Sequence, residues 1–242
     1  MTDFVDLWVY LSSTPLFGLT ATLVVYVVAQ RVYAGLNQAP WANPVFISVA
    51  LLASALQLSG VAYQTYFSGA QFIHFLLGPA VVGLGWPLWV RRQELMHHGW
   101  RLLLASCVGG GCAALSAGAL AWALDLPSDV VRSLIPKSVT APVAMGVAET
   151  IGGIPALAAV FAVITGMVGA LSAKYLFAWM GLKNSPRDWR IRGFALGTVA
   201  HGIGAARAIQ VNEDAGAYAG LGLGLQVILA SVLIPLALSW PL

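Results

Sequence analysis

Charge is missing from this chain over stretches too long for an ordinary water-soluble fold. No Asp, Glu, Lys or Arg occurs between Arg31 and Arg91, between Arg101 and Asp125, between Glu149 and Lys174, or after Asp214. A transmembrane helix needs about 20 largely apolar residues, and each of these gaps is long enough to hold one. Of the 242 residues, 59% are hydrophobic and 9% charged, and the mean hydropathy is +0.83. The sequence therefore reads as an all-α integral membrane protein. The opening MTDFVDLWVY carries Asp3 and Asp6 where a signal peptide would carry basic residues, so the first apolar segment is expected to stay as a span. A net charge of +3 arises from a few loop Lys and Arg, and no nucleic-acid partner is expected from it. Cys107 and Cys112 lack zinc-ligand spacing and do not share a helix face, so they read as packing residues, with no metal and no cofactor implied.

Along the chain, residues 16–28 and 45–58 read as ordinary spans separated by the turn GLNQAPWANP, whose prolines cannot continue a helix. The next apolar segment is interrupted by Gly78-Pro79 near its centre and by Pro87 near its end, which predicts a kink or a break. Residues 102–124, 154–173 and about 216–240 supply further spans, giving a polytopic bundle of about six full spans in one transmembrane domain, 1–242, with halves near 1–124 and 125–242. Basic residues cluster at Arg91, Arg92 and Arg101 and again at Lys183, Arg187, Arg190 and Arg192, while Asp125 and Asp129 fall between the clusters. The positive-inside rule places both clusters in the cytoplasm. The segments at Ser133 to Gly153 and FALGTVAHGIGAARA then make no net crossing, and are expected to be re-entrant hairpins from opposite sides. Pro79 in HFLLGPAVVGLGWPLWV aligns with Pro136 in VRSLIPKSVTAPVAMGV. Such paired proline breaks suggest an inverted repeat of the transporter type.

The chemistry concentrates at these breaks. Irregular backbone at membrane depth is tolerated only where it is buried in protein or lines a cavity. Pro136 precedes Lys137, and Ser138 and Thr140 follow, with Pro142 opening a new half-helix. That N-terminus, the Lys137 charge and two hydroxyls together suit a small carboxylate; the plain alternative is a Lys that snorkels to the interface. Glu149 could pair with Lys137 or carry a proton, but the turn-like TIGGIP after it favours an interface position. In AHGIGAARA, His201 is followed by Gly202, Gly204 and Arg207. His201 is a candidate anion or proton site, against the alternative of a neutral core histidine bonded to a carbonyl. His74, with no such context, reads as structural. A Ser138–His201 hydrolase pair is disfavoured because no Gly-x-Ser-x-Gly setting surrounds Ser138. Gly216, Gly220 and Gly224 form a small-residue stripe for close helix packing, either within the chain or in a homodimer.

The strings SLIPKSVTAPVAM, GGIPALAAVFAVITGMVGA and RGFALGTVAHGIGAARA resemble the LrgB/CidB family of bacterial membrane proteins, and the homologous half of the plastid glycolate/glycerate translocator. LLGPAVVGLGWPLW extends the resemblance into the first half, with Trp89 at a position usually held by Tyr. The resemblance implies a bacterial inner-membrane protein that is not an enzyme, with one of two functions. One is transport of small monocarboxylates such as glycolate, glycerate, lactate or pyruvate. The other is holin- or antiholin-like control of murein hydrolase export and autolysis, beside an LrgA/CidA-type partner. The family often has Glu where this chain has Gly146, so a role for that carboxylate does not transfer to Glu149. Taken with the breaks, the expected site has Lys137, Ser138 and Thr140 receiving the carboxylate opposite His201, Gly202 and Gly204. Pro136, Glu149, Arg207, Gly78 and Pro79 are secondary candidates, and His201 is the candidate for proton coupling. Membrane lipid and a second copy of the chain are the other expected partners.

Overall fold

The computed structural model of the protein describes residues 15–36, 39–42, 44–76, 79, 86–90 and 92–238, and every regular element among them is helical. Two compact units occur, Met1–Ala80 and Val81–Leu242. The first holds α1 (Pro15–Gly35), a 3-10 turn at Pro40–Ala42, α2 (Pro44–Ser59) and α3 (Tyr63–Phe75). Gly18 on α1 lies so close to the Tyr66 carbonyl of α3 that a Cβ would have no room, and the Thr22 and Tyr66 hydroxyls share a 2.7 Å hydrogen bond. The second unit holds α4 (Trp86–Val90), α5 (Arg92–Ala123), α6 (Ser128–Leu134), a 3-10 turn at Ile135–Ser138, α7 (Ala141–Thr150), α8 (Pro155–Trp179), α9 (Pro186–Val211) and α10 (Glu213–Leu238).

Among the described residues, four helices are long and apolar enough to cross a bilayer: Leu16–Gly35, Met96–Ala123, Pro155–Trp179 and Glu213–Leu238. Pro44–Ser59 is apolar but shorter. In the segment with the expected Gly78-Pro79 break, residues 77–78 and 80–85 are outside the described residues, and only Pro79, exposed, is seen of that break. The same residues interrupt the first copy of the expected repeat, 74–90.

Local chemistry sets the helix ends of the second unit. Asp125, Gly152 and Gly181 have positive φ of 53°, 75° and 71°. Each such residue lets the chain fold back onto the last turn, where Leu126, Gly153 and Leu182 donate to the carbonyls of Ala121, Ala148 and Phe177. These left-handed caps satisfy carbonyls that an apolar surrounding would otherwise strand. α9 starts with a capping box: the Ser185 hydroxyl accepts from the Asp188 N–H at 3.2 Å. The Asp188 carboxylate accepts from the Lys183 N–H at 3.0 Å. The Ser185 side chain, foremost, and the Lys183 and Ser185 backbone hold the Asp188 carboxyl below the usual carboxylate range.

Two segments double back on themselves. Ser133 and Gly153, the ends of the first break-bearing stretch, are in contact: the Ile154 N–H donates to Ser133 Oγ at 2.7 Å, and a Cβ on Gly153 would sit 2.9 Å from the Ser133 nitrogen. The chain runs inward through α6 and the 3-10 turn, reverses at residues 137–140, and returns as α7. The second reversal is inside α9, where His201 has φ 41° and ψ −134°. Its first limb, residues 186–200, runs parallel to α10, with Gly193 against Ala215 and Gly197 against Ala219. Its second limb, residues 202–211, returns along the first, so that Leu196 and Ala208 share one core cluster and Ile209 meets Gly216 at the start of α10.

Small residues make these close approaches possible. One core cluster contains Ala144, Ala148, Ala158 and Ala162, and the other Ala173, Ala200, Ala215 and Ala219. Most large apolar side chains face outward, with Trp122 at 76% and Trp179 at 85% exposure. That is the inverse of a water-soluble core, and it is how helices associate where lipid already solvates apolar surface and only close contact adds attraction. The glycine stripe of α10 is used within the chain: Gly216 meets Ile209, and Gly220 and Gly224 are buried. A leucine at position 197 would strike the Ala219 backbone, which cannot move aside. Gly197→Leu is therefore expected to cost about 3 kcal/mol, read as a fall in the thermal midpoint in detergent. Gly202→Ala, with open space around it, should leave the midpoint nearly unchanged, and equal effects of the two would rule out this packing.

Candidate functional site

Both hairpin tips lie beside the middle of α8. The His201 ring, 4% exposed, donates from Nε2 to the Ala162 carbonyl oxygen at 2.7 Å. It fits because α8 has no side chain in its way: a Cβ on Gly166 would come 2.7 Å from the ring, and one on Gly169 would come 2.6 Å from Ala200 Cβ. At the same level, Lys137 and Ser138 from the first tip line a cavity of about 350 Å³ with Ala113 of α5, Thr165 and Gly169 of α8, and Val199 of α9. The hairpins thus approach from opposite ends of α8, one beginning beside Ile154 and the other beside Phe177.

The first tip is rich in unused donors. Ser138 Oγ and Thr140 Oγ1 are buried without a hydrogen-bond partner. Thr140 precedes α7 without capping it through its side chain, and the first intrahelical bond runs from the Ala144 N–H to the Thr140 carbonyl at 2.8 Å. The N–H groups of Ala141 and Val143 therefore precede the helical ladder; Pro142 has none. Lys137 is half-buried and adds the one full charge at this tip. Buried polar groups are nearly always satisfied in folded proteins. Two orphan hydroxyls next to a lysine and a helix N-terminus have the donor chemistry that an acceptor-rich, negatively charged group requires.

Other candidates are placed elsewhere. Pro136 is fully buried and serves the break itself. Glu149 is exposed at the far end of α7, away from Lys137. Gly204 is a packing residue, because a Cβ there would come 2.7 Å from the Leu196 carbonyl oxygen of the first limb. Arg207 is several residues beyond the tip and lines a different cavity with Arg192 and Lys174. Ser138 and His201 form no hydrogen-bonded pair: the hydroxyl is unpartnered and the ring is bonded to Ala162.

Sequence reasoning missed two polar residues near this level. Ser106 on α5 is fully buried and Gln226 on α10 is 6% exposed. Ser106 Oγ and Gln226 Oε1 lack partners, and both line a small cavity of about 70 Å³. The Gln226 amide lies against Gly110, whose missing side chain makes the space. The available signal was an amide in the charge-free second half of α10 together with a Gly-Gly-Gly run on α5.

Paired broken helices that meet midway along a helix long and apolar enough to cross a bilayer place the chain among α-helical membrane proteins with discontinuous helices. Within that class the chain belongs to the LrgB-like family, whose model matches residues 22–240. It is 31% identical over 223 residues to the uncharacterized protein YwbG of Bacillus subtilis, covering 92% of this chain and 97% of that one. It is 32% identical over 194 residues to an uncharacterized protein of Haemophilus influenzae, covering 80% and 82%. It is also 29% identical over 230 residues to the antiholin-like protein LrgB of Bacillus cereus, covering 92% and 95%. No solved structure matches.

The His201 backbone is strained for any residue with a Cβ, at a cost of order 1 kcal/mol or more, while its ring bond holds the tip to α8. His201→Ala loses the bond and keeps the strain, an expected loss of about 2 kcal/mol. His201→Gly loses the bond but relieves the strain, so its thermal midpoint should lie above that of His201→Ala. The reverse order would remove strain from the account of the turn.

Proposed function

We propose that this protein is a bacterial inner-membrane carrier for small monocarboxylates of the glycolate, glycerate, lactate or pyruvate class. One observation carries the reading: the unpartnered Ser138 and Thr140 hydroxyls beside Lys137 at the N-terminus of α7. A carboxylate removed from water needs several donors and a compensating charge, and this tip offers hydroxyl, backbone N–H and ammonium donors around a cavity of about 350 Å³. Among the described residues, no carboxylate lines that cavity to neutralise Lys137 in place of a substrate. Thr140, His201, Gly202 and Gly204 fall outside its lining, so the carboxylate site centres on Lys137 and Ser138, with Thr140 adjacent. His201 acts as the anchor of the opposing tip; proton coupling through it remains a secondary part of the proposal. Alternating access would come from movement of the hairpin tips against α5, α8 and α10.

A second reading has its own support. The Bacillus cereus relative is named an antiholin-like protein, which favours a modulator of murein hydrolase export that works with an LrgA/CidA-type subunit. A homodimer in either role would use a surface other than the internally occupied glycine stripe of α10.

Uptake of labelled glycolate, glycerate, lactate and pyruvate into sealed proteoliposomes, with a trapped dye, separates the readings. The carrier reading expects saturable uptake of at least one acid with the dye retained, and a loss of at least tenfold in Lys137→Ala with a smaller loss in Ser138→Ala. Dye release together with unselective solute entry would favour the second reading. Equal uptake by Lys137→Ala and wild type would remove Lys137 from the site.

A further inference from the structure

A second cavity, of about 350 Å³, opens between the limbs of the second hairpin. Its floor is buried and apolar, with Ala170, Ala173, Leu196 and Ala208. Its rim is cationic: Lys174 from α8, Arg192 from the first limb of α9 and Arg207 from the second all line it, and among the described residues no carboxylate does. Arg192 is held in place by aromatic rings, its Cζ 4.7 Å from the Trp189 ring centroid and 5.5 Å from that of Phe177. Its Nη1 donates to Asn184 Oδ1 at 3.4 Å, while its Nε is buried with no partner.

Three cations around one cavity repel one another, and a guanidinium with a buried, unused N–H calls for an anion with several acceptor oxygens. A small soluble acid would need the rim but not the apolar floor. A molecule with both parts, an anionic head and a hydrocarbon tail, matches the whole cavity. Lys174 lies near the end of a helix long enough to span a bilayer, with Trp179 just beyond it, which is the level where headgroups and aromatic belts occur. We infer that this cavity binds an anionic phospholipid, its phosphodiester received by Arg192, Arg207 and Lys174 and the start of an acyl chain lying on the alanine floor. Because Arg192 and Arg207 are on opposite limbs, the phosphate clamps the open end of the hairpin whose tip is held by His201. The site is independent of whether the tips carry a substrate.

The test is thermal unfolding of the full chain in a neutral detergent, with added phosphatidylglycerol, phosphatidylcholine or sodium phosphate. Phosphatidylglycerol is expected to raise the midpoint by about 5 °C more than phosphatidylcholine. In the Arg192→Gln, Arg207→Gln double variant this difference should vanish. If that variant does not fold, the exposed Lys174→Gln serves in its place and should reduce the difference. Equal effects of the two lipids, or an undiminished difference in the variant that folds, would overturn the inference. A full midpoint rise from sodium phosphate alone would overturn the lipid in favour of a soluble anion.

Discussion

The bond from His201 to the Ala162 carbonyl is the contact on which the arrangement of the second unit depends. It joins a strained turn in one hairpin to an unbroken helix that also receives the other hairpin. Without an acceptor, the buried imidazole N–H would lose its hydrogen bonds to water and gain none, a cost that grows as the surrounding dielectric falls. The turn therefore has one place to sit, and that place fixes the level at which the first limb of α9 ends. Gly166 and Gly169 make this possible by leaving no side chains between the helix and the tip.

Small residues carry the same logic through the fold. Helices in lipid gain little from hiding apolar surface, so stability comes from dispersion at close range and from satisfied backbone groups. Gly193 and Gly197 set the first limb of α9 against α10, and Gly204 sets the returning limb against the first. Most of the large apolar side chains are left for the outside. Complete helices thereby support two interrupted elements, and Lys137, Ser138, Thr140 and His201 lie where the interruptions are.

Function follows from what the interruptions leave unpaired. A helix break exposes N–H groups, and the first tip surrounds them with two orphan hydroxyls and a lysine and provides no internal acceptor. The second tip differs in kind: its one polar side chain is already satisfied by α8. In the carrier reading we propose, this asymmetry makes the first hairpin the ligand-bearing element and the second its positioning counterpart. The cationic rim at the open end of the second hairpin adds a point at which the surrounding lipid can act on the same element.

Much of this was legible in the sequence. Charge-free gaps announce spanning helices because an unpaired charge is too costly in hydrocarbon. Pro136 and Pro142 announce a break because proline cannot complete a helical ladder, and counting crossings between basic clusters leads to the expectation that both break-bearing segments return to the side they came from. Lys137, Ser138 and Thr140 could be named at once, since they sit inside the break. Tertiary structure alone decided the rest, because which residues meet across a helix pair depends on register and on side chains that are absent. It paired His201 with a backbone carbonyl that no sequence pattern marks, made Gly204 a spacer and sent Arg207 to a second cavity. It also brought Ser106 and Gln226 together although they lie far apart along the chain, on α5 and α10.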